Sequence, residues 1–260
     1  MKRLKEDVMK VLYFTATGNN LYVGKKIGGE SYSIPKLMKQ GQFEFEDEKV
    51  GIVFPSYYGG VPRIVEEFLD KVKLKSKYIF AVVSFGSFSG AVIPELLEIG
   101  KRNQIQFSYI NEILMVDNYL PVFDMDKEMR KEPKKNIEES LAQITKDIQA
   151  KKVYIKRHTA VIRFIEAIIK KFHSSTRANL EYDKNFYAED ACNSCKICEK
   201  VCPVNNINVD TKPVYKGNCE HCLACINHCP QNAIRLKGER SKTRFINKNI
   251  ALKEIIDSNS

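Results

Sequence analysis

Residues 10–20 read KVLYFTATGNN. Residues 10–14 form a short apolar run, Thr15-Ala16-Thr17-Gly18-Asn19-Asn20 is a polar loop, and residues 21–27 have the character of a helix. Strand, loop and helix in this order make the opening unit of an α/β domain. A hydroxyl-rich loop that opens a helix is a ready anion site, because free backbone N–H groups and the helix dipole point at the same spot. The loop lacks the lysine and spacing of G-x-x-x-x-G-K-[ST] and is not G-x-G-x-x-G, so nucleoside triphosphates and dinucleotides are poorly served. The same residues also suit an ordinary capped helix start, at which Thr or Asn merely satisfies backbone donors.

Working outward, the unit recurs. Residues 50–54 form a second buried-type strand, ending at Pro55-Ser56-Tyr57-Tyr58-Gly59-Gly60-Val61-Pro62, with a helix expected over 63–72. Residues 78–83 are continuously apolar, as a parallel strand covered on both faces should be. They end at Ser84-Phe85-Gly86-Ser87-Phe88-Ser89-Gly90, before a helix over 91–100. A further strand lies within 109–116 and ends at Asn118-Tyr119-Leu120-Pro121, and a last helix is expected near 136–151. Alternating strands and helices imply an α/β fold with a doubly wound parallel sheet. Ligands of such sheets bind outside the carboxyl ends of the strands, where these four loops gather.

Thr15-Ala16-Thr17-Gly18-Asn19 resembles the phosphate loop of flavodoxins, and the resemblance extends over about residues 9–150. It implies a flavodoxin-like domain that binds FMN, with Thr15, Thr17, Asn19 and Asn20 holding the phosphate without a cationic side chain. By the same resemblance the loops carrying Pro55, Ser56, Ser84, Phe85, Gly86, Gly90 and Asn118 flank the flavin. Tyr57 or Tyr58 would stack on the isoalloxazine, with Tyr119 a second stacking candidate, and Gly59 and Gly60 would let the backbone approach the N5 edge. Each tyrosine equally suits plain packing at a strand end, and the glycines suit simple turns. The chain has no tryptophan, which many flavodoxins place on the flavin.

All eight cysteines lie in residues 192–229: Cys192, Cys195, Cys198 and Cys202-Pro203, then Cys219, Cys222, Cys225 and Cys229-Pro230. The two copies are 27 residues apart, an internal duplication in which each half should carry its own small hairpin and helix. C-x2-C-x2-C-x3-C-P is the signature of bacterial two-cluster ferredoxins, and the resemblance covers about residues 188–235. It implies two [4Fe-4S] clusters in a small α+β domain. In proteins with this pattern the fourth ligand comes from the other repeat, so the implied sets are Cys192, Cys195, Cys198 with Cys229, and Cys219, Cys222, Cys225 with Cys202. A disulfide framework is disfavoured without secretory context, and zinc sites use separated C-x2-C pairs rather than a triple followed by C-P. His221 and His228, beside these cysteines, read as surface residues or as hydrogen-bonding neighbours of the clusters.

The chain has 260 residues, room for one moderate domain and a smaller one, and a formal charge of +10. Much of the excess lies between Lys151 and Arg177. Residues 153–172 there place Val161, Phe164, Ile165, Ile168, Ile169 and Phe172 on one helical face and cations on the other. Such a helix packs on its own protein or, less often, lies on a membrane surface. The basic stretch suits an acidic redox partner or anionic lipid better than nucleic acid, since no nucleic-acid module accompanies it. The acidic run 42–49 reads as a solvated turn, 174–185 as a linker and 239–260 as a charged tail with a possible helix over 249–256. The expected domains are thus 1–150, 151–185 (basic helix and linker), 186–238 and 239–260. No apolar run reaches the roughly 18 residues of a membrane span. The charged start leads into a run too short for a signal peptide, so a cytoplasmic protein of an anaerobic or low-oxygen cell is expected.

The whole chain resembles the fused flavodoxin-ferredoxin proteins. The function this implies is electron transfer between FMN, two 4Fe-4S clusters and partner redox proteins that donate and accept electrons. The alternative is an FMN-dependent oxidoreductase that reduces a quinone or nitro compound. Composition and motifs leave the choice between carrier and enzyme open, and the oligomeric state is not read from the sequence.

Overall fold

The structure, a computed structural model, describes residues 9–158 and 179–260. The strands of the first part are β1 (Met9–Tyr13), β2 (Glu30–Ser33), β3 (Glu44–Glu46), β4 (Lys49–Pro55), β5 (Lys73–Lys75), β6 (Tyr78–Phe85), β7 (Phe107–Leu114) and β8 (Tyr154–Ile155). Its helices are α1 (Asn19–Ile27), α2 (Ile34–Gln40), α3 (Arg63–Leu69), α4 (Val92–Arg102), α5 (Met125–Lys131) and α6 (Ile137–Gln149). Among the described residues the central sheet has six strands in the order β2-β1-β4-β6-β7-β8, every neighbouring pair parallel. Counting only the strands of this sheet and leaving out β8, this is the 2-1-3-4-5 order of flavodoxin-like sheets.

Alternation along the strands builds two cores. Leu12, Phe14, Ile52, Phe54, Ala81 and Val83 face Leu37, Val65, Phe68 and Leu96 of α2, α3 and α4. Val11, Tyr13, Val53, Phe80 and Val82 face Val23, Leu141 and Ile148 of α1 and α6. Helices cover both faces, which is why β4 and β6 read as unbroken apolar runs. Gly51 leaves room for the Phe80 ring of the adjacent strand, since a Cβ there would lie 2.1 Å from it.

Several expectations change. β2 reads ESYS, too polar to stand out, because it is an edge strand with two exposed residues. The acidic run is more than a turn: β3 pairs with β5, Phe45 is buried, and Glu44 and Glu46 meet Lys73 and Lys75 on the exposed edge. The basic helix expected over 153–172 lies outside the described residues except at its start, where Tyr154 and Ile155 extend the sheet beside β7.

The second part has β9 (Phe186–Ala188), β10 (Ile207–Val209), β11 (Pro213–Tyr215) and β12 (Ile234–Leu236), with one-turn helices over Ile197–Lys200 and Ala224–Asn227. The strands pair β9 with β12 and β10 with β11, so the two halves of the duplication share hairpins rather than each closing its own. A short strand on its own has too little to pair with, and pairing across the repeat supplies the partner. The described end of the expected linker is a 3-10 helix, Leu180–Asn185, anchored by Asp183, which accepts hydrogen bonds from Asn206 and Gly217.

The expected tail is packed. Its helix covers Leu252–Asn259, three residues beyond the sequence expectation. Tyr13 and Ser258 share a hydrogen bond of 2.7 Å, Ser33 donates to the Ser258 carbonyl, and Asn259 donates to the Val201 carbonyl at 3.3 Å. The last residues therefore hold the small part against the β1 side of the sheet.

Candidate functional site

The four strand-end loops enclose a cavity of about 360 Å³. Of the residues expected there, Thr15, Ala16, Thr17, Asn19, Asn20, Pro55, Ser56, Tyr57, Tyr58, Gly59, Ser84, Phe85, Gly86, Asn118 and Tyr119 line it. Gly18, Gly60 and Gly90 do not, and each has a backbone task instead. Gly18 has φ 99° and donates to Thr15 Oγ1 at 3.1 Å, turning the loop into α1. Gly60 closes a small turn with Tyr57. Gly90 lies against Gly59, and a Cβ there would sit 2.3 Å from the Gly59 Cα.

The loop between β1 and α1 is held from three directions. Asn118 donates to Thr17 Oγ1 at 2.8 Å. His228 Nε2 donates to the Ala16 carbonyl at 2.9 Å, and the Asn247 backbone N–H donates to the Thr17 carbonyl at 2.8 Å. Thr15, Thr17, Asn19 and Asn20 are all buried, and the Asn20 side-chain oxygen is buried without a hydrogen-bond partner. Buried polar atoms without partners are uncommon, and this one belongs to a residue that lines the cavity.

The opposite wall is aromatic. Tyr57 packs edge-on to Phe14 at 5.9 Å. Tyr58, held at φ 51°, stands edge-on to Tyr119 at 5.3 Å. His221 Nε2 donates to the Asn179 carbonyl at 2.7 Å, which leaves Nδ1 to accept the Tyr58 hydroxyl proton at 3.0 Å. Tyr182 stacks on the His221 ring at 4.3 Å. Burial holds both His221 and His228 below the ordinary imidazole value, so both are neutral at pH 7. The expectation that these histidines are surface residues is therefore corrected: each reaches across to the flavodoxin-like part. Asp117, Phe123 and Leu223 also line the cavity and carry no local mark in the sequence, and Cys222, expected only as a cluster ligand, lines it too. Burial raises the Asp117 carboxyl, which accepts the Tyr119 backbone N–H.

The cysteines gather in two sets of four, each round a small cavity. Cys192, Cys195, Cys198 and Cys229 line one; Cys202, Cys219, Cys222 and Cys225 line the other. All eight are free thiols. Among the described residues no three His, Cys, Asp or Glu side chains converge as a single metal ion requires. The thiols surround a space, not a point. Burial pushes the Cys198 and Cys219 thiols up to about 12, so taking up iron there must displace protons. Backbone N–H groups of Asn206, His221 and Ala233 already donate to the sulfurs of Cys202, Cys219 and Cys229.

Residues 186–208, which hold the first cysteine triple and Cys202, match the 4Fe-4S binding domain family. The chain thus carries a ferredoxin-type 4Fe-4S domain. No curated protein matches the chain in sequence. Two solved structures are similar to it. One is a protein assigned as a flavoprotein from Bacteroides uniformis, 15% identical, covering 48% of this chain and 97% of that one with a TM-score of 0.33. The other is the rubredoxin oxygen:oxidoreductase of the anaerobe Desulfovibrio gigas, 13% identical, covering 56% of this chain and 37% of that one with a TM-score of 0.34. No helix among the described residues is long and apolar enough to cross a membrane.

Proposed function

We propose that the chain is an electron-transfer protein that binds FMN in the loop cavity and one 4Fe-4S cluster in each cysteine set, exchanging electrons with partner redox proteins. The observation that carries this reading is Cys222, which lines both the loop cavity and the cavity of its own cysteine set. Cys222 and its neighbour Leu223 form the wall common to the two sites.

The residues present fit these groups. The β1–α1 loop offers hydroxyls, backbone N–H groups and the Asn19 and Asn20 amides for a phosphate, with the partnerless Asn20 oxygen left to accept from a ligand hydroxyl. Tyr58 and Tyr119 line the wall where a flat ring would lie, and His221 accepts the Tyr58 hydroxyl proton and so fixes that ring. FMN takes up or gives out one or two electrons, whereas a 4Fe-4S cluster moves one at a time. The protein's contribution is to keep the sites a side chain apart, to exclude water with Phe85, Phe123 and Leu223, and to hold the sulfurs with backbone donors.

Anaerobic purification or reconstitution tests the reading. It expects about eight irons and one FMN per chain, with visible and EPR signals of both cofactor types. A chain that takes up its iron but binds no FMN sinks the flavin half. Sustained turnover of a quinone or nitro compound, without a protein acceptor, would make the chain an oxidoreductase instead.

A further inference from the structure

The strongest unused observation lies where residues 244–250 cross back over the β1–α1 loop. Asn247 is buried, and its backbone N–H already holds the Thr17 carbonyl. Its side chain is oriented by its own segment: the Asn249 backbone N–H donates to Asn247 Oδ1 at 3.0 Å. A backbone N–H cannot accept, so the oxygen of that amide must face residue 249 and the nitrogen must face the other way. There Asn247 Nδ2 donates to Asn19 Oδ1 at 3.0 Å. With its oxygen committed to this bond, Asn19, which lines the cavity, has its own Nδ2 left as the donor a ligand can meet. Contact is close throughout, since a Cβ on Gly18 would lie 3.1 Å from the Cβ atoms of both Asn247 and Ile250.

We propose that Asn247 is a positioning residue for phosphate recognition. It fixes the Asn19 amide so that a donor, not an acceptor, meets the phosphate of the flavin. This inference rests on the FMN reading above. The loop 15–20 contains no lysine or arginine, so an anion there depends on neutral donors, and reversing one amide replaces a donor by a repelling oxygen. Asn247 itself does not line the cavity, so it acts only through Asn19 and the loop backbone.

The test uses the full-length, cluster-loaded chain stripped of flavin, titrated separately with FMN and with riboflavin, which lacks the phosphate. Asn247→Asp keeps the size and can still accept from Asn249 N–H, but sets an acceptor against Asn19 Oδ1 and favours the reversed amide. It is expected to weaken FMN about 100-fold, and Asn247→Ala about tenfold, by loss of one or two hydrogen bonds to an anion. Riboflavin affinity and iron content should stay within about twofold in both variants, which a general loosening of the fold would not allow. Unchanged FMN affinity in Asn247→Asp overturns the proposal, as does an equal loss of both flavins. A wild-type chain that binds riboflavin as tightly as FMN also overturns it, because the loop is then no phosphate seat. A wild-type chain that binds neither flavin removes the FMN reading, and this role with it.

Discussion

The two cysteine sets have the same spacing and opposite surroundings. Cys202, Cys219, Cys222 and Cys225 lie on the inner side, where Cys222 and Leu223 form part of the loop cavity and the buried Glu220 reaches the first residues of α3. In the outer set Cys195 is exposed, next to Asn193, Lys196 and Gln231 at the surface. A duplicated sequence has thus been placed in two environments by what packs on it, not by its own residues. The difference gives the proposed relay two ends, one facing the flavin site and one facing a partner.

The largest expected effect breaks this comparison directly. Cys222→Ala should lose about half of the iron and also weaken FMN, because it removes a wall shared by the two sites, whereas Cys195→Ala should lose about half of the iron and leave FMN affinity unchanged. Iron analysis with FMN titration reads both; equal loss of FMN in the two variants would abolish the distinction. Next comes the charge beside the inner set. Glu220 accepts the Ile64 backbone N–H at 3.0 Å and pairs with Arg63 at 3.1 Å, with its own side chain 2% exposed. Glu220→Ala leaves both partners without it and should cost about 2–3 kcal/mol in urea unfolding. On the outer side, Asp190→Ala removes a surface pair with Lys212 and should not move the unfolding midpoint.

A smaller effect concerns the aromatic wall. Tyr58→Phe keeps the ring but strips His221 Nδ1 of its donor, at a cost of about 1 kcal/mol, and FMN should still bind. A slighter effect depends on pH. The Lys25 ammonium holds the Glu254 carboxyl below its ordinary value, fastening the C-terminal helix to α1. A carboxyl depressed on folding adds stability above its unfolded value of about 4.3 and loses it as pH falls through the folded value. Glu254→Gln should therefore narrow the gap in melting temperature between pH 7 and pH 3, with the pair's exposure keeping the change slight.

What could be read from the chain followed from how local each signal is. The cysteine triples are legible because iron clusters demand a fixed spacing within one turn of backbone, and the fourth member of each set was implied only by the resemblance to two-cluster ferredoxins. The sheet is legible because buried parallel strands must be apolar throughout, as in residues 78–83. β2 and β8 were missed: edge strands bury one face at most, so their residues carry no such mark. Asn247, His221 and His228 lie 163 to 228 residues from the loop residues they hold. Such partners are chosen by the tertiary fold, and no periodicity or motif encodes them. The loop itself was visible, but not what completes it.

That completion sets an order of events during synthesis. The bond between Asn19 and Asn247 spans 228 residues. A ribosome adding 5–20 residues per second makes the second partner roughly 10–45 s after the first. The sheet of the first part can assemble while the chain is still emerging, yet its loop waits for residues translated after the last cysteine. The finished pocket therefore arises only after the cysteine segment has been made, because Asn247, which braces its first loop, follows Cys229 in the chain.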